Sequence, residues 1–124
     1  MAQKPARFPG TFPGTIKAGL DRDALASKAD VIAAGEVEDV RDEARVQYLV
    51  HGEPLDFVRR IATLRVDRVD KGRPTGPKIE VEFLASDVPS SLETVSRGER
   101  VTLFLKKKGD RYEFADVTTS KVPY

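Results

Sequence analysis

The sequence predicts an all-β fold, a five-stranded Greek-key barrel with one or two short helices. Three observations predict it. Apolar and polar residues alternate in five separate stretches, the period of a strand with one covered face. Glycine, proline or a charged turn bounds each stretch. The longest stretch, Phe57 to Gly72, is apolar on one side and cationic on the other, and the chain on both sides of it reads as strands that would pair with it.

Residues 1–19 carry Pro5, Pro9, Gly10, Pro13, Gly14 and Gly19, and Phe8-Pro9-Gly10 is nearly repeated as Phe12-Pro13-Gly14. That density of proline and glycine forbids regular helix and reads as a flexible leader; the alternative is an extended arm, with Phe8 and Phe12 tucked against the barrel. The folded domain is expected over 20–124. Asp21 to Ala29 reads as a short helix capped by Asp21, with Asp23 in its first turn and Leu20, Ala24, Leu25 and Ala29 at four-residue spacing.

Val31 to Val40 opens the first strand, and Gly35 within it marks a bulge or a sharp bend. Val46, Tyr48 and Val50 resume strand character, and His51-Gly52-Glu53-Pro54 reads as a turn. Residues 31–70 thus form one long, bent hairpin, irregular near Arg41 to Ala44. In its second arm Ala62, Leu64 and Val66 face one side and Thr63, Arg65 and Asp67 the other. Val69 breaks that phase, which places a bulge near Asp67-Arg68.

Ile79, Val81 and Phe83 alternate with Glu80, Glu82 and Leu84 as a third strand. Ser90 with Glu93 fits a capping box, and Leu92 with Val95 an apolar helical turn, before the Gly98-Glu99 turn. Val101, Leu103 and Leu105 form a fourth strand. Lys107-Lys108-Gly109-Asp110 is a hairpin loop, Tyr112 to Val117 a fifth strand, and Thr118 to Tyr124 a tail. Strand, strand, strand, a short non-strand link, strand, strand is the layout of an OB-fold, a closed barrel that removes most exposed strand edge.

The totals narrow the function classes. The 124 residues fit one domain. With no cysteine, thiolate nucleophiles, thiolate metal sites and disulfides are excluded, and the composition leans towards a reducing compartment. The 21 basic and 20 acidic residues nearly cancel to +1, whereas a dedicated nucleic-acid binder is usually more lopsided. No apolar run is long enough to span a bilayer, and Met1 to Thr15 lacks the apolar core of a signal peptide.

Catalytic patterns are weak. The single histidine, His51, lies near Glu53 and Asp56, a poor metal-ligand spacing. Ser90 or Ser91 would need His51 as base, and no nucleophile-elbow motif frames either serine. Glu80 and Glu82 share one strand face, as a solvated pair does. No enzyme, metal or cofactor is expected. The suggestive group is basic: Arg59, Arg65 and Arg68 on the second arm, with Arg60 beside them, then Lys71 and Arg73, and Lys106, Lys107, Lys108 and Arg111 around the last hairpin loop. OB-folds bind oligonucleotides on the face of strands 2 and 3, where Tyr48, Phe57, Phe83 or Tyr112 would stack on bases. Against this stand Asp67, Asp70, Glu80 and Glu82, interleaved with the cations.

In order, Ala29-Asp30-Val31-Ile32, the Gly52-Glu53-Pro54 turn, a basic-apolar strand ending in Lys71-Gly72, Ile79-Glu80-Val81, and Leu92 to Gly98 leading into Val101 to Leu105 resemble the netrin-like module, the OB-fold of the tissue inhibitors of metalloproteinases. The resemblance covers residues 29–118 and implies an exported, bacterial-type, non-catalytic module that binds a protein or another macromolecule, with no membrane span. A single-strand nucleic-acid binder is the alternative. A metalloproteinase inhibitor would need an N-terminal cysteine, which this chain lacks.

Overall fold

In a computed structural model of the chain, residues 22–86 and 92–124 are described. The leader 1–19 with Phe8 and Phe12, the cap Asp21, and the serines Ser90 and Ser91 lie outside the described residues.

The elements are α1 (Arg22–Lys28), β1 (Val31–Val50), β2 (Glu53–Lys71), β3 (Lys78–Ala85), β4 (Arg100–Lys108), β5 (Arg111–Phe114) and β6 (Lys121–Pro123). The sheet runs β1-β2-β3-β5-β4-β6, and β4 pairs back onto β1. The first five strands therefore close into a ring, the small all-β barrel that the alternation implied. All pairings are antiparallel except β3 with β5, which is parallel.

The alternation sorts the side chains as read. Val31, Ala33 and Val37 of β1, Ala62 and Leu64 of β2, Ile79, Val81 and Phe83 of β3, Val101, Leu103 and Leu105 of β4, and Tyr112 and Phe114 of β5 form one buried cluster inside the ring. A second, smaller cluster lies outside it. There Leu25 of α1 and Ala29 just beyond it lie against Ile32, Phe104 and Ala115, so an outward phenylalanine is covered by the helix segment rather than by water. The Lys71 ammonium donates to the Ala26 carbonyl at 2.8 Å and ties the end of β2 to that helix.

Four differences from the sequence reading have physical causes. Pro54 does not end the ladder: it pairs with Leu49 inside β2, and the reversal is made by His51 and Gly52 alone, at φ 53° and 80°. Both central residues lie in the left-handed region, as a two-residue hairpin turn needs. Residues 92–96 are not helical. The Glu93 carboxylate instead accepts from the backbone amides of Ser120 and Lys121, at 3.0 and 3.1 Å. The tail contributes a strand, β6, on the stretch of β4 that β5 leaves unpaired. The fifth strand stops at Phe114, and beyond it Asp116 and Ser120 close a loop in which the Ser120 hydroxyl donates to the Asp116 carbonyl at 2.7 Å.

Candidate binding face

The β1–β2 hairpin positions the arginines. Val69 and Val66 share a phase only because Asp67 is skipped in the register: Gly35 pairs with Val66 and Ala34 with Arg68. That is the bulge expected at this place. At Gly35 itself the partner strand comes so close that a Cβ would lie 1.8 Å from the Arg65 carbonyl oxygen. The bulge and the close approach together turn Arg65 and Arg68 onto the outer face, where they meet carboxylates.

Arg65 reaches Glu36 at 3.1 Å, Asp67 at 3.4 Å and Glu38 at 3.7 Å. Arg68 donates to both oxygens of Asp70, at 3.0 and 3.2 Å, and to the Thr102 hydroxyl at 3.3 Å. Arg59 donates to Glu43 at 3.0 Å, and Arg60 to Asp42 at 2.8 Å. Around the last hairpin, Arg111 is shared by Glu43 at 2.7 Å, Glu80 at 3.2 Å and Glu82 at 3.6 Å, while Lys108 meets Glu82 at 2.6 Å. Lys107 lies over the Tyr112 ring, 5.4 Å from its centre, and Lys106 is exposed opposite Glu113.

The eight candidate cations thus do not make one stripe. Arg59, Lys108 and Arg111 gather with Glu43, Glu80 and Glu82 across β1, β2, β3, β4 and β5. Arg65 and Arg68 gather with Glu36, Glu38, Asp67 and Asp70 at the β1–β2 edge. Lys71 serves α1. Of the four aromatics considered for stacking, Phe83 and Tyr112 are in the barrel core, and the Tyr112 hydroxyl has no hydrogen-bond partner among the described residues. Tyr48 and Phe57 stay together on the hairpin, ring centres 5.7 Å apart. Among the described residues no group of three or more His, Cys, Asp or Glu side chains is placed to hold a metal ion, so His51, Glu53 and Asp56 do not converge.

No family model, curated protein or solved structure matches this chain.

Sequence reasoning named Asp67, Asp70, Glu80 and Glu82 among the cations but missed Glu36, Glu38, Asp42 and Glu43 as arginine partners, and it missed Tyr124. The Tyr124 ring stacks under Arg100 at 4.3 Å and Arg68 at 5.5 Å, and its hydroxyl donates to Asp67 at 3.1 Å. One signal was present. Arg65-Val66-Asp67 repeats at once as Arg68-Val69-Asp70, a period of three that a strand of period two accommodates only by skipping residues.

The carboxyls feel these partners. The Arg111 hydrogen bond, with Arg59 behind it, outweighs partial burial and holds Glu43 below the ordinary carboxylate range. Arg65, helped by Tyr124, does the same for Asp67. At Asp116 burial pushes upward, but the Thr118 hydroxyl and amide and the Lys28 ammonium together win, and the net shift is downward. A carboxyl lowered in the fold contributes stability that is complete above its unfolded pKa, about 4, and that drains as pH falls through the lowered folded value. The melting temperature is therefore expected to stay level from about pH 7 to pH 5 and to drop below about pH 4. Asp116→Asn should flatten that drop in a thermal-unfolding series. A parent chain equally stable at neutral pH and near pH 2 would contradict the assignment.

Proposed function

We propose that the chain is a non-catalytic binding module on an OB-type barrel, of the netrin-like kind, and that its partner is a protein met outside the cytoplasm. Strand order supports the OB reading: β4 returns to lie beside β1, and β3 meets β5 in parallel. The resemblance of residues 29–118 supports the netrin-like and exported part of the proposal.

One observation carries the binding reading. β4 pairs with β1 only as far as Glu36, and β3 with β2 only from Val58 onward. The end of the hairpin, residues 46–57, is paired only within itself among the described residues. It ends in Leu49 and Leu55, which are 41% and 42% exposed. By register they stand on opposite faces of the ribbon, next to Pro54 and Tyr48. Exposed apolar side chains on a projecting hairpin suit a protein surface. Arg59, Arg65, Arg68, Lys108 and Arg111, each close to a carboxylate, offer phosphate little net attraction.

The test places a photo-crosslinking residue at position 55 and, as a control, at Arg97, in cells that make the protein. One discrete protein adduct from position 55, absent from position 97 and abolished by Leu49→Asp, is the expected result. In parallel, a short mixed single-stranded oligonucleotide is titrated by NMR at low salt. Shifts at Arg59 to Arg68 and Lys106 to Arg111 that fade as salt rises, with no tip adduct, would replace this reading by a nucleic-acid one.

A further inference from the structure

The β1–β2 ladder skips four residues: Glu38 and Glu43 on β1, and Asp67 and Asp70 on β2. All four are acids, and each is held by an arginine of β2. Glu38 and Asp67 meet Arg65, Glu43 meets Arg59, and Asp70 meets Arg68. The skips also cancel, two against two. Ile32 pairs with Lys71 and Val50 with Glu53, and an unbulged ladder running from the same turn would make both of those pairs. The two ends of the hairpin therefore do not choose between a bulged and a straight middle.

We propose that Arg59, Arg65 and Arg68 form a register lock, which selects the bulged hairpin over the straight one by clamping the four skipped acids. The bulges matter to the core. Skipping Glu38 lets Val37 and Val40 both meet the core; skipping Asp67 sets Val66 against it and gives Val69 the same register phase, though Val69 itself is 44% exposed. In a straight ladder Thr63 would face Val40 rather than Asp39, and one strand would turn its apolar row outward. The arginines matter to the bulges. Glu36, Glu38 and Asp67 all lie within 3.7 Å of the Arg65 guanidinium; without it Glu38 would keep Lys78, at 2.9 Å, while Glu36 and Asp67 would lose their ion pairs and repel. This role is independent of whether the hairpin tip binds anything. It also explains why a strand so rich in arginine belongs to a chain with a net charge of only +1.

The chain has no cysteine, so register can be read by disulfide trapping. Asp39→Cys with Thr63→Cys reports the bulged pairing, and Val40→Cys with Thr63→Cys the straight one. Each pair is built into the parent, into Arg59→Gln/Arg65→Gln/Arg68→Gln, and into Arg22→Gln/Arg73→Gln/Arg97→Gln, which removes the same charge elsewhere. In the parent and the control, only 39–63 should crosslink on mild oxidation. In the first triple variant 39–63 crosslinking should slow about tenfold and 40–63 crosslinks should appear, with amide exchange in 36–69 rising by a similar factor and β3–β5 unchanged. If that variant crosslinks 39–63 at the parent rate, the arginines do not set register. Should it fail to fold, Arg65→Lys keeps the charge but loses the fork that spans three carboxylates. A slower 39–63 crosslink there supports the lock, and an unchanged one overturns it.

Discussion

Gly35→Ala is expected to unfold the protein under conditions where the parent chain stays folded. The added methyl carbon would sit 1.8 Å from the Arg65 carbonyl oxygen and 3.2 Å from the Val66 Cα. Those atoms are backbone in the partner strand, so no side chain can swing aside. Relief requires β1 and β2 to separate where β1 also pairs with Val101 of β4. Overpacking at such a site costs about 3 kcal/mol or more, a large part of a small domain's stability. Gly52→Ala is the control. Its neighbourhood is open and only its φ of 80° is unfavourable, so about 1–2 kcal/mol is expected. Urea unfolding followed by circular dichroism separates the two. Should Gly52→Ala be the more damaging, the strands do not approach at Gly35 as described.

Leu64→Ala is the second large effect, about 3–5 kcal/mol, against about 0.5 kcal/mol or less for Leu55→Ala in the same strand. Leu64 is fully buried in the ring, opposite Val37 on one side and Ile79 on the other. Truncating it opens a cavity that paired strands cannot collapse. Leu55 is 42% exposed on the hairpin end, where an alanine loses little that water did not already reach. The same pair of variants separates stability from binding. Under the proposed function Leu55→Ala weakens partner capture in a fully stable protein, while Leu64→Ala lowers the unfolding midpoint. Equal midpoints for the two would mean that the ring is not the core.

What the sequence determined by itself is local and periodic. The inward row of β3, Ile79, Val81 and Phe83, follows from alternation, because a strand shows successive side chains to opposite faces whatever it pairs with. The short helix of Arg22–Lys28, the register irregularity at Gly35 and the bulge that returns Val69 to phase were legible for the same reason: each is a property of a few adjacent residues. The candidate face was legible in its cations and in the acids interleaved with them, but not in which acid each cation meets. Arg41 and Glu80 are 39 positions apart and 3.1 Å apart in space, and nothing in either residue's neighbourhood announces the other.

The tertiary structure alone decided where charge is cancelled, that the ladder also skips Glu38 and Asp70, and that Glu93 bonds the amides of Ser120 and Lys121 instead of capping a helix. It also decided that three residues of an unpatterned tail become β6, because β4 still had unpaired backbone groups beside them and such groups must find partners. A side chain's row on a strand is set by its own backbone. Its partner is set by which other strand the closed ring brings alongside, and that is a property of the whole chain.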